Sequence, residues 1–118
     1  MPGKFSYVIL FVGDMSRAVK FYRDMLGLSL KFESPEWSEF ATGETALALH
    51  PASRENPAGK VELALTVPDL QASYREMTAK GVKFIMPPTK QDYGGMLARY
   101  VDSEGTSWSL GEASSEGA

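Results

Sequence analysis

Two stretches of this chain follow one pattern: "YVILFVGDMSRAVKFY" at residues 7–22 and "ELALTVPDLQASY" at residues 62–74. Each runs from an apolar strand through a corner closed by an aspartate into an amphipathic helix. The corner residues, Asp14 and Asp69, stand 55 positions apart, and Gly27 and Gly81 follow the two helices. An internal repeat constrains the fold more than any single motif, because each copy is one supersecondary unit that cannot bury its apolar face alone. A chain of 118 residues is one domain by size. It reads as repeat 4–50, a Pro- and Gly-containing linker 51–60, and repeat 61–112. The two copies are expected to pair into one curved mixed sheet with a cleft.

"FSYVILFV" (5–12) is rich in β-branched and aromatic residues and predicts a buried strand. Asp14 suits an N-cap, since its carboxylate accepts from free amides of the first turn. Met15, Ala18, Val19, Tyr22, Met25 and Leu26 then fall on one helical face, and Gly27 suits the stop. "LSLKFES" alternates as a half-buried strand, "SPEW" breaks regular structure at Pro35, and short strands follow at Glu39–Ala41 and in "TALALH". In the second copy, "VELALTV" predicts a strand and Leu70 to Lys80 a helix with Leu70, Tyr74 and Met77 inward. "VKFIM" is then a strand, "PPTKQDYGG" a long loop, and "MLARYV" and "SWSLGE" the last two strands. The tail "ASSEGA" is expected to fray. The fold class is α+β, with βαβββ written twice.

Composition removes several function classes. The chain has no cysteine, which excludes disulfides, thiolate catalysis and Cys-ligated zinc. Its one histidine, His50, excludes a site needing two His ligands from one chain. The formal charge is −3 with Lys and Arg scattered, so neither a nucleic-acid stripe nor a polybasic membrane anchor is expected. Tyr7 to Val12 is too short to span a bilayer and lacks the flanks of a secretory signal, so the expected compartment is the cytoplasm.

The pattern "YVILFVGDMSRAVKFYRDMLGL", the loop "DYGGMLARYVDSEG" and the doubled βαβββ layout resemble the vicinal oxygen chelate superfamily. Its members include glyoxalase, extradiol dioxygenases, and the fosfomycin- and bleomycin-resistance proteins. The likeness runs from about Phe5 to about Glu112 and is specific for fold, whereas this fold hosts metalloenzymes and metal-free binders alike. The resemblance implies a homodimer, and isologous dimers are the commonest oligomers in general. It also implies metal-ligand positions on the first strand of each copy, seven residues before the capping Asp, and on the last strand of each copy. Here those positions hold Tyr7, Glu62, Ala48 (with His50 two residues on) and Ser109. Neutral Tyr and Ser are poor ligands and Ala is none, while a catalytic metal usually takes three protein ligands. If a metal is bound, Glu62 and His50 are its ligands; the expectation is that none is.

Glu62 therefore reads either as a cleft carboxylate, serving as general base or counter-charge, or as a solvated strand residue. Tyr7 reads as a hydrogen-bond donor or stacking surface, or as a core tyrosine with its hydroxyl at the rim. Trp37, Phe40, Ala48, Tyr93, Met96, Trp108 and Ser109 are expected to line the cleft, with Trp37 beside a Pro-broken loop and Tyr93 beside Gly94-Gly95. Such aromatic walls suit a flat or apolar ligand. The favoured function is a metal-free, bleomycin-resistance-like protein that sequesters a partly aromatic, cationic small molecule. The alternatives are a divalent-metal lyase, isomerase or dioxygenase, and a metal-free enzyme with Glu62 as base.

Overall fold

The computed structural model describes residues 3–113. In chain order the elements are β1 (Lys4–Val12), α1 (Met15–Lys20) continued by a π-helical turn (Phe21–Met25), β2 (Ser29–Phe32), β3 (Ser38–Ala41) and β4 (Ala46–Pro51). Then come β5 (Val61–Val67), α2 (Leu70–Ala79), β6 (Lys83–Lys90), β7 (Met96–Val101) and β8 (Ser107–Glu112). The fold is α+β, with βαβββ traced twice. The chain divides into two compact units, residues 6–62, and residues from 63 onward joined by the start of β1 through Phe5.

In the first unit the strand order is β2-β3-β4-β1. β1 runs parallel to β4, with Tyr7 opposite Ala46 and Phe11 opposite His50, while β3 pairs antiparallel with β4 and β2 with β3. Asp14 caps α1 as the sequence predicts, its Oδ1 accepting from the Arg17 amide at 3.0 Å. Val19, Phe40 and Leu49 form the core between helix and sheet, joined by Leu10, Val12, Tyr22, Leu30 and Leu47. Phe40 is fully buried there, with its ring 6.0 Å from Tyr22. It packs beneath α1 instead of lining a ligand site as expected, because alternation along β3 turns it to the helix side.

The inward helical face predicted from Met15 to Leu26 holds only as far as Tyr22. Met25 is 75% exposed and Leu26 54%. The Leu26 amide donates to the Phe21 carbonyl at 3.1 Å, an i to i+5 bond in place of i to i+4. This wider turn rotates the following residues off the face that a regular helix would keep inward.

The second unit repeats the layout with order β5-β8-β7-β6. β5 runs parallel to β8, Leu63 lying opposite Trp108 and Leu65 opposite Leu110. Asp69 Oδ1 accepts from the Ala72 amide at 3.0 Å, and Glu112 Oε2 of β8 accepts from the Leu70 amide at the same distance. The helix start thus has two carboxylates, one of them 42 residues away in sequence. Val67, Leu70, Met77, Ala98, Tyr100 and Leu110 make the core.

Strand β6 continues through Pro87 and Pro88 to Lys90, where the sequence predicts a loop from Pro87 onward. Proline lacks the amide that an inner strand must donate, but β6 is the last strand in this unit's order and pairs with β7 alone. The register also shifts between Met86 and Thr89, which spans the proline pair. The tail expected to fray lies outside the described residues beyond Ala113. Among the described residues, no helix is long and apolar enough to cross a membrane.

The β7–β8 turn is organised by Asp102. Its Oδ1 accepts from the amides of Glu104 and Thr106, both at 2.9 Å, and its Oδ2 from Trp108 Nε1 at 3.2 Å. Trp108 stacks on Tyr100 at 6.1 Å with an interplanar angle of 13°. The amides of Thr106 and Glu104 hold the Asp102 carboxyl below its ordinary value of 3.8.

Phe40→Ala should cost about 3–5 kcal/mol in urea unfolding. Met25→Ala, at a solvent-facing site, should stay within about 0.5 kcal/mol of wild type. Equal losses would mean that the helix is regular through Leu26. Because the folded Asp102 carboxyl is the stronger acid, its stabilisation is complete above the unfolded value and disappears as pH falls through the lower folded one. Asp102→Ala should therefore lower Tm at neutral pH and flatten the acid limb of Tm against pH. An unchanged acid limb in that variant would rule this account out.

Candidate functional site

Alternation along β1 sends Leu10 and Val12 to the α1 side, where they join the core. Tyr7, Ile9 and Phe11 therefore face the other way. Register sets Ala46, Ala48 and His50 of β4 level with them, and Glu39 of β3 level with Ala48. Ile9 and Ala48 are buried and form the floor.

Above this floor four rings gather. Trp37 meets Tyr7 edge-on at 5.5 Å and His50 at 6.4 Å, and His50 meets Phe11 at 5.2 Å. The "SPEW" turn fixes Trp37 from behind. Its amide donates to Ser34 Oγ at 3.0 Å, and Ser34 Oγ donates to the Trp37 carbonyl at 2.8 Å. The indole Nε1–H donates to Glu39 Oε1 at 3.0 Å, and Lys31 Nζ lies 3.5 Å from Glu39 Oε2. Glu39 is the charged centre of the group, with its side chain only 12% exposed.

Of the residues expected to line a site, Tyr7, Trp37 and Ala48 come together here, with His50. Glu39 and Lys31 were not anticipated. Glu39 was within reach of sequence reasoning, since it sits two residues after Trp37 at the spacing that keeps strand neighbours on one side. Lys31 carried no such signal.

The other expected residues lie elsewhere. Glu62 is 2% exposed in β5, on the side shared with Ala64 and Thr66 and opposite the core residues Leu65 and Val67. Ser109 is buried opposite Ala64 and beside Arg99 on the same side of the second unit's sheet. Trp108 and Met96 pack against the core beneath α2 instead of lining that side. Tyr93 is 75% exposed in the β6–β7 turn. Its ring lies close over Gly95, where a Cβ would meet it at 2.6 Å.

The donor set around Glu39 does not fit a transition metal. One Glu39 oxygen accepts the Trp37 indole N–H and the other faces Lys31, and His50 brings a single imidazole to the group. Ala48 offers no donor and Tyr7 only a phenol. Among the described residues, no three His, Cys, Asp or Glu side chains gather as metal ligands would.

The likeness to known proteins agrees with this architecture. An uncharacterized protein of Shewanella frigidimarina (strain NCIMB 400) is 29% identical over 121 residues, spanning 88% of this chain and 89% of the relative. Methylmalonyl-CoA epimerase from Mycobacterium tuberculosis shares 20% identity with a TM-score of 0.77, over 96% of this chain and 89% of that one. NAD-dependent benzaldehyde dehydrogenase from Legionella pneumophila shares 21% identity at the same TM-score, over 96% of this chain and all of that one. Likeness at such identities is one of fold. Residues 4–110 match the sequence profile of one family, and with its twice-written βαβββ fold the chain belongs to the Glyoxalase/Bleomycin resistance protein/Dioxygenase superfamily.

Proposed function

We propose that this protein binds a small, flat, partly aromatic organic cation on the side of the first unit's sheet away from α1, and holds it without a metal and without transforming it. The observation that carries this reading is the gathering of Tyr7 and His50 around Trp37, whose indole is bonded to the nearly buried Glu39 carboxylate. Aromatic faces attract a cation through their quadrupoles, by about 0.5–2 kcal/mol each depending on desolvation. A carboxylate in the same group supplies the counter-charge. The donor chemistry argues against the metal-dependent lyase or dioxygenase alternative, because three acidic or imidazole ligands do not converge there. The family resemblance supports a homodimer, which sedimentation equilibrium would check.

One observation favours a second reading. Glu62 is a carboxylate 2% exposed, and a carboxylate within hydrogen-bond reach of a substrate can act as a base. On that reading the protein is a metal-free enzyme that takes a proton next to a carbonyl, and Glu62→Gln removes turnover while leaving ligand binding intact.

Calorimetric titration with 4-hydroxyphenyltrimethylammonium separates these possibilities. Trp37→Ala should weaken binding by about ten-fold or more, and prior chelator treatment should leave it unchanged. Affinity that survives Trp37→Ala, or that falls after chelation, would overturn the metal-free aromatic site.

A further inference from the structure

The Lys31–Glu39 pair exists because β2 carries an extra residue. Leu30 lies opposite Phe40 and Phe32 lies opposite Glu39, so β2 advances two residues where β3 advances one. Lys31 is the extra residue, and a bulge of this kind re-aims a side chain that regular pleating would send elsewhere. It brings Lys31 Nζ to 3.5 Å from Glu39 Oε2 and leaves Phe32, 53% exposed, level with Glu39.

The two partners are unequally placed. The Lys31 side chain is 67% exposed and that of Glu39 12%. A lysine so exposed keeps most of its hydration and gives up little on swinging away, because ion pairs at the surface contribute little. A nearly buried carboxylate that loses its cation is costly, so Glu39 needs some positive charge in that place. Its other oxygen is held by the Trp37 indole, which keeps the carboxylate and the ring in one geometry whichever cation is present.

We infer that Lys31 is a built-in competitor: the ligand is an organic monocation whose charged head replaces the Lys31 ammonium at Glu39 Oε2, between the rings of Trp37 and Phe32. This rests on the binding reading above and makes Lys31 a specificity-determining residue. A neutral molecule of the same shape leaves the Lys31–Glu39 pair in place and lies against the rings beside it, because displacing the lysine would leave Glu39 without a counter-charge. Quaternary and aryl ammonium groups suit the place better than a strongly hydrated primary ammonium, since they lose less hydration on leaving water for aromatic surroundings.

The test is calorimetric titration of wild type, Lys31→Met, Lys31→Arg and Glu39→Gln with two isosteric probes, 4-hydroxyphenyltrimethylammonium and neutral 4-tert-butylphenol. The cation should bind Lys31→Met about three- to five-fold more tightly than wild type, the range an exposed ion pair accounts for. Lys31→Arg should stay near or below wild type, and Glu39→Gln should weaken the cation by about ten-fold. The phenol should be indifferent to Lys31→Met. Equal affinity of the cation for wild type and Lys31→Met would overturn the competitor role. If Trp37→Ala still weakened binding, the site itself would stand. Equal gains for both probes in Lys31→Met would also overturn it, since Lys31 would then be acting by bulk alone. No binding of either probe to wild type or Lys31→Met would remove the inference and the binding reading together.

Discussion

The parallel pairing of β1 with β4 holds Tyr7 level with Ala46 and Phe11 level with His50, and the candidate site depends on that register. A slip of one residue would reverse the strand's sides, sending Tyr7 and Phe11 under α1 and Leu10 and Val12 away from it. The apolar demand of the core prevents this. Leu10, Val12, Leu47, Leu49 and Phe40 together bury against Val19 and Tyr22 of the helical segment. Hydrophobic burial on one side of the sheet therefore fixes which polar and aromatic side chains are presented on the other.

On that other side, geometry and charge depend on each other. Trp37 is held at its backbone by Ser34 and at its indole by Glu39, so the ring is fixed at both ends. Glu39 tolerates near burial because an indole donor and an ammonium share its two oxygens. On the proposed reading, an aromatic wall fixed in this way would lower the ordering cost of binding, since little side-chain freedom remains to be lost. The one loosely held member is Lys31, on a strand with an irregular register.

The second unit follows the same topology with different chemistry. Its helix start is capped by Asp69 and also by Glu112 from β8, which ties the last strand to the helix. Trp108, level with Leu63 in the parallel pair β5–β8, stacks on Tyr100 and donates to the Asp102 turn, where it serves packing and turn geometry. Two tryptophans in the two halves of an internal repeat thus perform unlike tasks. Trp37 enters from a turn onto the side away from the helix, and Trp108 belongs to the side that packs beneath one.

The doubled βαβββ pattern, both aspartate caps and most strand positions were legible from the sequence, because they rest on local chemistry: apolar periodicity, carboxylates that cap amides, and glycine at helix ends. Tyr7 was legible as a site candidate from the family resemblance, and Trp37 from its place in a Pro-broken loop. The sides taken by Phe40, Met96 and Trp108 were not read: apolar neighbours at the start of "MLARYV" leave its helix-facing side undeclared, whereas the alternation of "SWSLGE" sets Trp108 with the core residue Leu110 and opposite Ser109, so the two could not line one side. Helical periodicity beyond Tyr22 was misleading because a π-helical turn, invisible to residue counting, turned Met25 and Leu26 outward. Pro87 and Pro88 read as a loop because proline excludes inner strands, and only the strand order shows that β6 pairs on one side within its unit. The sequence by itself determined the elements, since local sterics and hydrogen bonding set them. Tertiary structure alone decided that Glu39, Trp37 and Lys31 meet, because that meeting depends on inter-strand register and a single extra residue in β2.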